Sequence, residues 1–250
     1  MGSTKTYPII LAFLYKIAHF ETGKIKFFKF GVQSGILYDL DIHCDRTIFM
    51  TSTLSDFTAV LEQAAQAFQD SATSRPDAEK VVEALLQAEK VAKQTAIEYS
   101  FSQLEGQWRL CFATGTRKIR QGGIKLKKGY YVPKIAKAQI SFDSKTEKIG
   151  NLAQLGVLTL KFSGPARYQT KKNLLAFEFT QLQVCLGEKP IFSRSVRGGA
   201  EKEQAFDETP IAKLPFFAFF AISDRYIAAR GRGGGLALWV KSDRPSGKTA

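Results

Sequence analysis

The sequence predicts a mainly β protein, an antiparallel barrel or sandwich, preceded by two amphipathic α-helices. Three observations lead there. From residue 101 onward apolar residues recur with a period of two; residues 50–100 show the helical period instead and contain no Gly; and strand and helix patterns never alternate as a parallel α/β sheet requires. The 250-residue chain has a globular composition, 44% hydrophobic and 24% charged. No apolar run approaches the roughly 20 residues of a membrane-spanning helix. The three Cys, at 44, 111 and 185, share no metal-type spacing and cannot all pair, which argues against a disulfide scaffold.

Residues 1–49 carry 6 basic and 4 acidic side chains and nine aromatics. Their apolar run from Tyr7 to Tyr15 follows Lys5, loosely as in a signal sequence, but no small-residue cleavage site comes after it. Because Met50 stands directly before the first helical pattern, residues 1–49 are expected to be an atypical extension absent from the translated protein.

Residues 50–100 form the helical region. Leu54, Phe57, Val60, Leu61, Ala64, Ala65 and Phe68 recur at three- and four-residue spacing, one buried helical face. A break at 71–76 follows, and Ser74 is suited to cap a second helix whose first turn holds Pro76, Asp77 and Glu79. Val81, Val82, Leu85, Leu86 and Val91 make its apolar stripe. Such helices pack on a neighbouring domain or form a hairpin for a partner.

Residues 101–243 carry the β pattern. Alternation runs through Trp108–Phe112, Ala136–Phe142, Leu158–Phe162, Leu175–Phe179 and Leu236–Val240. Turn chemistry separates them at Asp143-Ser144, Ser163-Gly164-Pro165 and Lys171-Lys172-Asn173. Residues 187–215, rich in charge, Gly and Pro, read as a lid, a binding loop or a disordered segment. The aromatic stretch Phe216–Phe220 comes next, then a tight glycine turn at Gly231–Gly235. Residues 244–250 read as a flexible tail.

Charge is unevenly spread. The net +13 divides into +2 for residues 1–49, −4 for 50–100 and +15 for 101–250. A basic surplus of that size calls for an anionic partner, nucleic acid or a membrane surface. Catalytic machinery is not visible. The only His residues are His19 and His43, no zinc-type cluster or nucleotide-binding glycine motif occurs, and the acidic pairs Asp143/Glu147 and Glu201/Glu203 lie in turn or loop sequence. The Arg230–Gly235 segment is too short for an RNA-binding Arg-Gly tract, and an apolar strand follows it at once.

The flanks of the β region carry a resemblance. The segment Leu104–Gly115, with Gly106 and Trp108, resembles the Gly-x-Trp first-strand motif of the plastid lipid-associated proteins, or fibrillins. The segment Asp224–Lys241, with Asp224-Arg225 and Arg230-Gly231 before a glycine-rich hairpin, resembles their closing motif. Two departures stand out: Cys111-Phe112 replaces the commoner Leu-Tyr pair, and residues 187–215 are highly charged.

The resemblance implies a lipocalin-like β-barrel with no catalytic site and no cofactor, holding an apolar lipid or isoprenoid such as a quinone or carotenoid. It also implies peripheral association with thylakoid or lipid-globule membranes, in a plastid or, for a chain starting at Met50, a cyanobacterium. The interior candidates are Phe112, Ile140, Leu160, Phe162, Phe177, Phe179, Phe217 and Phe219, which either line a ligand cavity or fill the barrel. Trp108 is expected at the closed end with a late arginine, Arg225 or Arg230, on its face. The basic stretch 117–131 supplies a membrane contact through Lys118, Arg120, Lys125, Lys127, Lys128, Tyr130 and Tyr131. A nucleic-acid-binding β module and an enzyme built on the barrel are the other two readings.

Overall fold

In the computed structural model of this chain, residues 49–70, 72–118, 124–196 and 198–242 are described. The expectations for the extension before Met50 and for the C-terminal tail lie outside them. Two helices come first, α1 (Phe49–Gln69) and α2 (Ala78–Thr95). The strands are β1 (Gly106–Lys118), β2 (Ile124–Tyr131), β3 (Ala136–Asp143), β4 (Lys148–Leu155), β5 (Leu158–Gln169), β6 (Leu174–Phe177), β7 (Gln181–Leu186), β8 (Lys189–Ser195), β9 (Phe216–Ile222), β10 (Tyr226–Gly231) and β11 (Leu236–Lys241). A short helix α3 (Gly199–Gln204) lies between β8 and β9.

The strand order β4-β3-β1-β11-β10-β9-β6-β5, closed by β4–β5, is an eight-stranded antiparallel barrel. The predicted fold class is therefore the observed one. Three strands stand outside the ring. β2 takes over from β3 along the upper half of β1, and the β7–β8 hairpin takes over from β6 along the first half of β5. With the end from which β1 starts as the base, β5 begins at the mouth and the β7–β8 hairpin extends the sheet there.

The period of two separates the faces. Inward from the ring point Trp108, Ile140, Phe142, Ile149, Leu175, Phe177, Phe219 and Ile227, all buried. Outward, Tyr226, Ala228, Leu238 and Val240 lie in one core with Leu61, Ala64, Phe68, Val81 and Leu85 of the two helices. The predicted helical faces are buried at Leu61, Ala64, Ala65, Phe68, Val81 and Leu85, but Leu86, expected in the second stripe, is 40% exposed; both helices lie on the barrel wall. α2 starts later than its sequence suggests. Asp77, not Ser74, occupies the N-cap, while Ser74 accepts bonds from Gln63 Nε2 through its carbonyl (3.1 Å) and its hydroxyl (3.2 Å).

Two other readings of the sequence need correction. Ser163-Gly164-Pro165 is not a turn but the middle of the twelve-residue β5. Gly is required there by proximity: a Cβ on Gly164 would lie 2.0 Å from the Glu178 carbonyl oxygen of the chain crossing it. Residues 187–215 are not one loop either. They contain β8 and α3, and Phe206 and Leu214 fold back with Ala176 as a satellite core on the outer wall. Arg167 holds that flap, donating to the carbonyls of Asp207 and Thr209 with its guanidinium 5.6 Å from the Phe206 ring centroid. The predicted turns at Asp143 and Asn173 are present, Asn173 at φ 48°. So is the glycine turn, closed by Gly231 N donating to Gly235 O at 2.9 Å.

Candidate functional site

The base of the barrel is sealed. A short 3-10 turn, Phe101–Leu104, runs into β1, and the fully buried Trp108 donates its Nε1–H to the Leu104 carbonyl at 2.7 Å. Phe101 packs edge-on against Phe142 (6.4 Å) and stacks on Tyr168 (5.7 Å). The cation over the Trp108 ring is Lys241, at 5.3 Å, in register with Trp108 across β1–β11. The two expected arginines are elsewhere. Arg225, exposed in the β9–β10 turn beside exposed Asp224, faces Glu62 at 3.9 Å. Arg230 points outward to α2, where it forms a bidentate pair with Glu89 and also donates to Gly234 O. The physical reason is register: Arg230 alternates with inward Ala229, so a helix and not the barrel interior receives it.

Above the base the interior is aromatic. Phe142 and Phe219 meet at 5.9 Å, Phe217 and Phe219 at 6.2 Å, Phe177 and Phe217 at 5.1 Å, Phe177 and Phe179 at 5.1 Å, and Phe162 and Phe179 at 5.7 Å. Trp239 closes edge-on against Phe217 at 5.5 Å. Ring pairs at these separations are attractive in offset and edge-to-face geometry. Contact runs from ring to ring along this interior chain, and the rings reach the mouth.

Of the interior candidates, Ile140, Phe177, Phe179 and Phe219 are buried in this array or beside it, and Phe217, Phe162 and Leu160 are half-buried on the same face. Phe112 is not inside. A bulge between Leu110 and Phe112 in the β1–β11 ladder reverses the alternation and sends Phe112 outward into the helix core, against Tyr131 (5.1 Å). Cys111, at the same bulge, lies buried with its Sγ 3.6 Å from the Ala64 carbonyl, and burial pushes its thiol up to about 12.

The inward face does not stop where the ring closes. Cross-strand register carries it from β3 to the β7–β8 hairpin in two rows. One is Ala136, Leu155, Leu158 and Leu186; the next is Ala138, Ala153, Leu160, Val184 and Phe192. Burial falls along the first row, from Ala136 at 4% exposed to Leu158 at 46% and Leu186 at 53%, and the second row ends on exposed Phe192. The result is an open apolar shelf at the mouth, floored by Phe162 and Phe179. Periodicity gives no sign of it in β8, whose residues are all exposed.

The outer face of the same strands is different in kind. A groove of about 550 Å³ there is lined by Gln107, Gln139, Ser141, Lys161, Gln181 and Gln183 among others, with no carboxylate. It mixes amides and ammonium groups with Leu152, Phe162 and Leu182.

The basic hairpin is partly structural. Tyr131 donates its hydroxyl to the Pro76 carbonyl at 3.0 Å and lies beneath the Arg75 guanidinium, and burial pushes its pKa up to about 12. It fastens the α1–α2 connection and is not free to enter a membrane. Burial likewise raises the half-buried Tyr130. Lys125, Lys127 and Lys128 are exposed, Lys128 facing Glu79 at 3.6 Å. Lys118 ends β1, but its side chain and all of Arg120 lie outside the described residues.

Comparison with known proteins assigns no family. No family model matches the chain, and no curated protein matches it. Two solved structures are similar over part of it. An uncharacterized protein from Bacteroides eggerthii has a TM-score of 0.31 at 10% identity, covering 56% of this chain and 99% of that one. A protein from Burkholderia xenovorans has a TM-score of 0.28 at 14% identity, covering 58% of this chain and 87% of that one.

Proposed function

We propose that this protein is a non-catalytic carrier of an apolar lipid or isoprenoid, quinone or carotenoid in kind, that associates peripherally with membranes. The observation that carries the reading is the shelf. Apolar side chains from β3 to β8 form one continuous face, with Leu158, Leu186 and Phe192 exposed to solvent, above an aromatic floor. A folded chain leaves such a face uncovered at a cost, about 25 cal/mol for each Å² of apolar area kept wet, and a flat or extended hydrocarbon removes it. The ligand lies along Leu155, Leu158, Leu160 and Val184 at the mouth, above the ring contacts of the interior.

The fibrillin resemblance agrees in ligand class and in the barrel. Exposed Lys125, Lys127 and Lys128 supply the attraction to anionic headgroups, each contributing about 1 kcal/mol near the surface. Among the described residues no helix is long and apolar enough to cross a membrane. The test is extraction of the protein, purified from its own cells, into organic solvent followed by mass spectrometry. A stoichiometric apolar molecule is expected. Protein that carries none, and takes up none when incubated with a quinone in detergent, refutes the reading.

A further inference from the structure

Eight large hydrophobic residues are exposed among the described residues, and six of them sit at one end of the barrel: Ile135, Val157, Leu158, Leu186, Ile191 and Phe192, between 46% and 74% exposed. They come from three separate chain connections. Ile135 precedes β3, Val157 and Leu158 form the β4–β5 turn, and the rest flank the β7–β8 turn. Register brings the three together: Ala136 pairs with Leu155, Leu155 with Leu158, and Leu158 with Leu186, while Gly187 N donates to Val157 O at 2.6 Å. This is the rim of the mouth described above.

The charge around the rim is mostly positive. Segments 132–137, 155–161 and 186–194 hold Lys134, Lys137, Lys161, Lys189 and Arg194 against Glu188 alone. The whole run from Gly106 to Phe142, which includes the basic hairpin rising at the same end of β1, contains no Asp or Glu. Protruding apolar turns ringed by cations match a bilayer with anionic headgroups. The aliphatic side chains enter the acyl boundary and the lysines meet phosphate.

We propose that this rim is the membrane-docking surface, inserted into the interface of an anionic bilayer so that the mouth of the barrel opens onto the lipid. The proposal rests on the carrier reading and deepens it: a ligand on the shelf exchanges with the bilayer without crossing water. The hairpin lysines then steer and the rim anchors, which separates the two in salt. Electrostatic attraction is screened within about 8–10 Å at 0.1–0.15 M salt, whereas apolar insertion is not.

The experiment uses vesicles of phosphatidylcholine and phosphatidylglycerol, some with brominated acyl chains. Three variants are compared with wild type: Phe192→Trp at the rim, Ile97→Trp at an exposed apolar position on the helical side, and Leu158→Glu/Phe192→Glu. The native Trp108 and Trp239 are buried and give a common background. Brominated lipid is expected to quench Phe192→Trp and to leave Ile97→Trp at the wild-type level. Vesicle binding is expected to fall at least about tenfold in the double Glu variant and to survive 0.5 M NaCl in wild type. All three altered residues are exposed, and circular dichroism verifies that each variant keeps its fold.

Vesicle binding without quenching of Phe192→Trp overturns the docking surface. So does a blue shift of that Trp with protein concentration in the absence of vesicles, which means that a second copy covers the rim. Neither result touches the carrier reading, which is judged by the extracted ligand. Conversely, a quenched rim on a protein that extracts no lipid keeps the docking surface and removes the carrier.

Discussion

Replacing Arg230 by Met cuts the one strong electrostatic tie between α2 and the barrel wall. Glu89 is 8% exposed and lies under α2, where the Arg230 guanidinium meets it through Nε at 2.8 Å and through Nη2, while Lys93 Nζ reaches it at 3.0 Å from a largely exposed position. Without Arg230 the carboxylate stays buried with only the solvent-exposed Lys93 beside it. Removing one member of a buried pair costs about 3–5 kcal/mol. Lys93 and the partial exposure of Arg230 place this site near the lower end, about 3 kcal/mol. For a domain of this size that lowers Tm by roughly 6–12 °C.

The pH dependence has a definite sign. Burial raises the Glu89 pKa, but the hydrogen bonds from Arg230 and Lys93 outweigh it and hold the carboxyl below its ordinary 4.5. A carboxylate depressed in the folded state contributes stability above its unfolded pKa and loses it as pH falls through the folded one. The gap between wild type and Arg230→Met is therefore largest where Glu89 is ionised in both proteins, and it shrinks in acid from above the ordinary 4.5, because burial of the carboxyl is no longer offset by Arg230 in the variant. Thermal melts followed by circular dichroism between pH 3 and 7 measure it. A gap under 2 °C at pH 7, or one that widens in acid, refutes this account of the pair.

Other sites make separate predictions. Gly164→Ala drives a Cβ into the Glu178 carbonyl and is expected to destabilise by about 3 kcal/mol or more. Gly156→Ala, at φ +58° with open space around it, costs only about 1 kcal/mol. Equal denaturant midpoints for the two variants would contradict the crossing geometry. The Cys111 thiol, buried with its pKa pushed up to about 12, is expected to stay inert to a thiol reagent at pH 8 until the protein unfolds. Labelling of Cys111 in the folded protein, located by peptide mapping, disproves that burial.

How much of this was legible follows from which periodicities stayed regular. The helical faces with Leu61, Ala64, Phe68, Val81 and Leu85, and the inward rows with Ile140, Phe142 and Phe177, could be read directly, because each belongs to a run with an unbroken period. Phe112 was misplaced since a single bulge residue inverts every direction after it, and no local signal announces a bulge. Gly164 was misread because Ser-Gly-Pro is turn chemistry, while the need for Gly arises from a strand crossing it fourteen residues later in the chain. The shelf was hidden for a related reason. It depends on Leu160, Val184 and Phe192 coming into register across three strands, and β8 by itself reads as charged loop. Arg230 shows the limit of motif reading: its place in the hairpin was clear, its partner on α2 was not.

The central claim, that the shelf at the mouth holds an apolar ligand, is tested most directly by titrating the protein with decyl-plastoquinone and following tryptophan emission. Trp239 packs edge-on against Phe217 of the aromatic array beneath the shelf and reports on it through those rings. Saturable quenching is expected in wild type, with affinity about tenfold weaker in Leu160→Ser/Val184→Ser, the equivalent of 1.4 kcal/mol. Quenching that rises linearly and identically in both proteins would contradict the claim.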